Sequence, residues 1–218
     1  DFLESALDQS VSVNRDLSPL RKNYYSWREP YETPGSVKME QIVLQLNEVL
    51  AEDAIVANGA GNYAAWLHRY FQYKSFKTQL APTSGSMGYG IPAAISAKLE
   101  RPNTEVVCLA GDGCAQMSIQ EFGTAVQYKA NIIIIISNNG VYGTIKMHQE
   151  RTYPGRTSGT NMLNPDFASL ARSYGGFGET VEKTAEFLPA FERARSAGKP
   201  AIIELKTNPL ALSPQTPA

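Results

Sequence analysis

Glu105-Val106-Val107-Cys108-Leu109-Ala110-Gly111-Asp112-Gly113 and Asn131-Ile132-Ile133-Ile134-Ile135-Ile136-Ser137-Asn138-Asn139-Gly140 decide the fold. Each is a short apolar run broken by a cluster of Gly, Asp or Asn, which is how a strand running into a turn reads. The five consecutive isoleucines show no polar alternation. A strand of that kind is buried on both faces, as in a parallel sheet covered by helices. Between Gly113 and Asn138 lie 24 residues, room for a loop, a helix over 119–128 and the second strand. A right-handed crossover returns the chain beside the strand it left, so Asp112 and Asn139 are expected to face one small space.

Outward from this pair, apolar residues keep alternating between helical spacing and short strand-like runs. Ile42, Val43, Leu46, Val49 and Leu50 mark a helix, followed by a strand over 54–57 that ends at Asn58-Gly59. Helices are expected over 63–71, 89–99, 142–150, 165–174 and 185–197, and further strands over 177–181 and 201–206. The sum is an α/β domain, a three-layer, doubly wound, mostly parallel sheet, over 37–208. Residues 1–36 show no sustained period and read as a linker or arm from a preceding domain. The tail 209–218 carries three prolines and reads as loose.

With 43% hydrophobic and 19% charged residues, the 218-residue chain has the composition of a folded domain rather than a disordered one. Twenty basic against twenty-one acidic residues leave a net charge of −1, no electrostatic footprint for nucleic acid or an anionic membrane. The longest strongly apolar run, Ile132 to Ile136, falls far short of the roughly 20 residues that span a bilayer. Cys108 and Cys114, separated by five residues, match neither CxxC nor a zinc knuckle, and a reducing cytoplasm is the simplest home. The spacing leaves a disulfide between them open. The chain opens on Asp1 without Met or a signal-like segment, so it is expected to be a processed or trimmed piece.

In an open parallel sheet, ligands bind beyond the carboxyl ends of the strands. A carboxylate and an amide there, Asp112 and Asn139, are hard oxygen donors suited to Mg²⁺ or Ca²⁺. Gly111 and Gly113 let an anion approach the backbone, and Ser118-Ile119-Gln120-Glu121 reads as a capping box that starts a helix beside Asp112. Metal plus helix end would cradle a diphosphate. Either tripeptide alone is an ordinary turn; their pairing at successive strand ends is the signal.

Gly111-Asp112-Gly113, then 24 residues, then Asn138-Asn139 resembles the signature of thiamine diphosphate enzymes. The stretch Gly85-Ser86-Met87-Gly88-Tyr89-Gly90-Ile91-Pro92-Ala93-Ala94 resembles their acetolactate synthase branch. The resemblance covers about 37–207 and implies the C-terminal, diphosphate-binding (PP) domain of a three-domain chain. It implies Mg²⁺ on Asp112, the Asn139 side chain and the Val141 carbonyl. It places the backbone N–H groups of Gly113 and Cys114 on the diphosphate, with Asn62 and Tyr63 opposite, and counts Gly111, Ser86 and Tyr142 among the cofactor contacts. The Gly85 carbonyl would take the aminopyrimidine 4′-amino group, and Met87 would wedge beneath the bent cofactor, bringing that amino group against the thiazolium C2 hydrogen.

The activity implied is decarboxylation of a 2-oxo acid and transfer of the acyl unit, the cofactor ring serving as electron sink. Thr144, Ile145 and His148 would line the substrate pocket. His148 departs from the Trp of synthases that prefer 2-oxobutyrate, and as a helix residue it reads equally as surface; His68 reads as structural. The family's activating glutamate sits in the N-terminal domain, usually of a neighbouring subunit, and no residue of this sequence takes that role. The expectations are a chain inactive alone, a pyrimidine-binding domain as its partner, a homodimer or homotetramer, and FAD only in the full-length enzyme.

Two other readings compete. Gly59-Ala60-Gly61-Asn62-Tyr63-Ala64 formally matches the GxGxxA of NAD(P)-binding dehydrogenases, but 64–99 holds no Asp or Glu for the ribose hydroxyls. A non-catalytic regulatory or dimerisation module would retain the fold, although the intact Asp112–Asn139 pair argues against decay of the site.

Overall fold

The isoleucine run divides its side chains between two cores. Ile133 and Ile135 join one cluster of buried residues, Ile132, Ile134 and Ile136 the other, because successive side chains of a strand point to opposite faces. The computed structural model describes residues 16–214. Within them the order is α1 (Ser18–Arg28), α2 (Met39–Val49), β1 (Ile55–Asn58), α3 (Ala64–Tyr70), β2 (Gln79–Leu80), α4 (Gly90–Glu100), β3 (Val106–Gly111) and α5 (Asp112–Gln116). Then come α6 (Phe122–Gln127), β4 (Ile133–Asn138), α7 (Gly143–Thr152), α8 (Phe167–Ser173), β5 (Phe177–Val181), α9 (Phe187–Ser196) and β6 (Ala201–Lys206), with single 3₁₀ turns at Ile119–Glu121 and Thr184–Glu186.

The six strands pair in parallel in the order β2-β1-β3-β4-β6-β5. Ile42, Val43 and Leu46 of α2, Trp66, Leu67 and Tyr70 of α3, and Phe187 and Phe191 of α9 cover one face. Ile91, Ala94 and Ile95 of α4, Phe122 of α6, and Phe167 and Ala171 of α8 cover the other. Each fully buried side chain of this size contributes about 1.5–3 kcal/mol, so the doubly covered sheet is where stability concentrates. The chain leaves β1 toward β2 at one edge and then returns to β3 on the other side of β1. That reversal opens a crevice at the carboxyl ends of β1 and β3. No helix among the described residues is long and apolar enough to cross a membrane.

Four local expectations need correction. Residues 18–28, where no sustained period was expected, form a helix: Pro19 sits in its first turn, where its missing N–H costs nothing, and Leu20, Tyr24 and Trp27 follow helical spacing. The helix expected over 119–128 is split. A short helix begins at Asp112 itself, and Ser118 makes no capping bond; its hydroxyl donates to the Gly88 carbonyl at 2.8 Å. Strand β2 is only two residues long, too short for any periodic signal. The tail is not loose through 214: Leu212 is buried, its carbonyl accepts from Asn62 Nδ2 at 2.8 Å, and the Pro214 carbonyl accepts from Arg69.

Candidate functional site

β3 and β4 are neighbours in register, Gly111 opposite Ser137, so the residues leaving their ends emerge side by side. They border a cleft whose walls include Asn62 and Tyr63, Gly111 to Cys114, and Asn139 and Val141 to Ile145. Asp112 is 4% exposed. Its Oδ1 accepts from the Gly113 N–H at 2.8 Å, and its Oδ2 from the Gly140 N–H at 2.8 Å and from Asn164 Nδ2 at 2.7 Å. Burial pushes the Asp112 carboxyl up, against the downward pull of the donors from Gly113, Gly140 and Asn164. Asn139 Oδ1 accepts from the Val141 N–H at 3.1 Å. The two expected cation ligands thus sit on linked backbone, on one side of one cleft.

The donor set fits a hard divalent cation. A carboxylate, an amide oxygen and a main-chain carbonyl are ligands of the kind Mg²⁺ takes when phosphate oxygens and water complete its shell. Each Asp112 oxygen can accept about two bonds, and Oδ1 has one, which leaves capacity there. No group of three His, Cys, Asp or Glu among the described residues offers a softer site. Among the described residues the cleft is lined by no Lys, Arg or His, so an anion in it meets backbone dipoles and neutral polar side chains, and no side-chain cation balances its charge.

Those dipoles come from α7. Its first residues, Gly143, Thr144 and Ile145, line the cleft, and no side chain caps its N-terminus. The uncapped N-terminus of a ten-residue helix, with its positive end, therefore borders the space. This, with the start of α5, replaces the helix end expected at Ser118. Gly113 has no room for a side chain, because a Cβ there would lie 2.8 Å from the Tyr142 ring.

The remaining expected residues divide. Met87 lines the cleft and is 39% exposed, whereas Gly85 and Ser86 are not among its lining residues, nor is His148, which is exposed on α7. Asn62 lines the cleft but is occupied. Its N–H donates to Thr144 Oγ1 at 3.1 Å, its Oδ1 accepts from the same hydroxyl at 3.0 Å, and its Nδ2 serves the tail. Cys114 and Cys108 are free, buried thiols. Cys114 Sγ accepts from the Tyr63 hydroxyl at 3.3 Å and the Gly88 N–H at 3.2 Å, so it ties the loop carrying Met87 to α5. Burial pushes the Tyr63 phenol and the Cys108 thiol up. A Cβ on Gly59 would fall 2.3 Å from Cys114 Sγ; packing thus accounts for a glycine that the dinucleotide motif would have claimed.

Sequence reasoning missed Asn164, which bonds Asp112 from a loop 52 residues away, and Thr207, Ala211 and Leu212, which close the cleft from the C-terminal side. No local pattern marks either. A parallel α/β sheet with an oxygen-donor pair and an uncapped helix end at its switch point defines a domain with the means to hold an anionic cofactor. The chain belongs to the family described as thiamine pyrophosphate enzyme, C-terminal TPP binding domain, whose model matches residues 59–205; thiamine pyrophosphate and thiamine diphosphate are one compound.

Among its relatives, the acetolactate synthase large subunit of Cyanidium caldarium is 34% identical over 188 residues, 83% of this chain and 32% of that protein. That of Haemophilus influenzae is 32% identical over 203 residues, 90% of this chain and 35% of that protein. The thiamine diphosphate-dependent 4-hydroxybenzoylformate decarboxylase of Rhodococcus jostii RHA1 superposes with a TM-score of 0.76 at 32% identity, over 83% of this chain and 34% of its own. The chain spans about a third of the length of these relatives.

Proposed function

We propose that the cleft binds thiamine diphosphate through Mg²⁺, and that the chain is the diphosphate-anchoring part of an enzyme that decarboxylates 2-oxo acids and transfers the acyl unit, as an acetolactate synthase does. One observation carries this: Asp112, Asn139 and Val141 border a single cleft that the uncapped start of α7 also borders and that no cationic side chain among the described residues lines. A diphosphate there needs a metal ion to balance its charge, and the oxygen donors are in place to hold one.

When bound, the cofactor supplies an electron sink for decarboxylation. The chain's own residues do the holding. Asp112, Asn139 and the Val141 carbonyl would fix the ion, and the backbone N–H groups of Cys114 in α5 and of the first residues of α7 would orient the phosphates, the Gly113 N–H being held by Asp112. Met87 and Ile145, 39% and 52% exposed at the cleft, leave an apolar rim for a covering surface to exclude water. That cover is the pyrimidine-binding domain bearing the activating glutamate, in a homodimer or homotetramer.

Calorimetric titration of the protein with thiamine diphosphate tests the reading. Binding is expected with Mg²⁺, and its loss with EDTA or in Asp112→Ala. Equal affinity with and without the metal would overturn it.

A further inference from the structure

We propose that Asn164 is a positioning residue for the cation site: its amide, fixed in a donating orientation by Asn138 and the buried carboxylate of Glu204, holds the Asp112 carboxylate ready for a divalent ion. The proposal rests on the reading of Asp112 as a cation ligand.

Asn164 lies in the loop before α8 and is partly buried. Both hydrogens of its Nδ2 are used, toward Asp112 Oδ2 at 2.7 Å and toward Asn138 Oδ1 at 2.7 Å, while its Oδ1 accepts from Gln116 Nε2 at 2.7 Å. A side-chain amide has no intrinsic preference for presenting its nitrogen or its oxygen to a given neighbour. Here the preference is imposed from a distance. Glu204, on β6, is fully buried, and an ionised carboxylate only accepts hydrogen bonds. It receives Asn138 Nδ2 at 2.6 Å, Lys206 Nζ at 2.5 Å and Thr180 Oγ1 at 3.3 Å. Asn138 must therefore give its nitrogen to Glu204 and its oxygen to Asn164, and Asn164 must answer with its nitrogen.

Asp112, the acceptor at the other end, completes the chain. Two carboxylates bracket two amides, and only one orientation of both amides satisfies every partner. Turning Asn164 over would bring its oxygen against Asp112 Oδ2 and Asn138 Oδ1, three acceptors together. With Asn164 and the Gly140 N–H both on Oδ2, the carboxylate cannot rotate without breaking two charge-assisted bonds, and Oδ1 keeps capacity for the ion. Supports that orient metal ligands in this way are typically worth about 10–100-fold in metal affinity.

The test uses Mn²⁺ as the probe, titrated by electron paramagnetic resonance into the protein purified as its native host makes it, with saturating thiamine diphosphate. Asn164→Ala and Asn164→Leu, the second keeping volume but not the donor, are each expected to raise half-saturation by about 10–100-fold. Excess Mg²⁺ is expected to restore turnover, and the metal-free melting temperature to stay within a few degrees of native. A purely structural role would instead lower that temperature and leave activity unrestored by metal, which overturns the proposal. So does native affinity in either variant. If the unaltered protein binds Mn²⁺ no better with thiamine diphosphate than without, the reading of the cleft itself falls; if it does, and the variants match it, only the role of Asn164 falls.

Discussion

Replacing Gly113 with alanine should separate binding from folding. Gly113 lies within α5 and its φ is not positive, so alanine fits the backbone and gains about 1 kcal/mol of helix propensity. Against this, the new Cβ would sit 2.8 Å from Cε1 and 3.1 Å from Cδ1 of Tyr142, and 3.3 Å from Met162 Sδ. Ordinary contact begins at 3.4 Å, so the ring must give way by about 0.6 Å, and overpacking of this kind costs about 1–3 kcal/mol. The two effects leave a net loss of about 0–2 kcal/mol, and at about 2–4 °C per kcal/mol for a chain of this size the melting temperature falls by at most about 8 °C.

Binding has no such offset. Tyr142 follows Val141 and precedes α7, so a displaced ring carries 139–143 away from Asp112, whose Oδ2 depends on the Gly140 N–H. Losing a bond that orients a metal ligand is typically worth about 10–100-fold in metal affinity. Thermal melting of the ligand-free variant and calorimetry with Mg²⁺ and thiamine diphosphate measure the two quantities. A folded variant that binds with native affinity refutes the coupling between the Tyr142 ring and the cation site.

Thr144→Val keeps shape but removes the hydroxyl that both accepts from and donates to Asn62. Because the site is only half-buried and water replaces part of the loss, urea unfolding should show a decrease of about 1 kcal/mol; an unchanged midpoint would mean the pair contributes nothing. Tyr73→Phe addresses pH. The Tyr73 hydroxyl is buried with no hydrogen-bond partner among the described residues, the Gln79 side chain beside it lying outside bonding geometry. Burial raises this phenol to about 12. The folded state then keeps its proton while the unfolded state loses it, so native stability falls as pH rises from about 10 to about 12. The phenylalanine variant should show a shallower fall, the buried Tyr63 and Cys108 still contributing theirs, and be at least as stable at pH 7. A stability curve of the same steepness in both proteins over that window would contradict this.

What the sequence revealed and what it hid divide along a physical line. The strands over 177–181 and 201–206 were legible to the residue, and the double burial of β4 followed from five isoleucines, because a side chain's face in a strand depends only on its neighbours along the chain. That Asp112 and Asn139 would border one cleft was legible too, since crossover handedness is nearly invariant. Features decided by distant partners were not. Ser118 has the residues of a capping box, yet its hydroxyl is drawn to Gly88, 30 residues away. The prolines of the tail read as a loose end, yet Leu212 is held by Asn62 across 150 residues.

Asn164 shows the same limit at the site itself. Asn164-Pro165-Asp166 reads locally as a turn and the N-cap of α8, and Asp166 does accept from the Ser169 N–H. Nothing in that tripeptide announces a donor aimed at Asp112, because the aim is set by Glu204 on β6 and Asn138 on β4. Local pattern thus places the oxygen donors proposed as cation ligands at the strand ends, while their orientation is written in amides that only the folded sheet brings together. A cofactor site on this fold should therefore tolerate change in its turns better than change in the buried polar pairs beneath them.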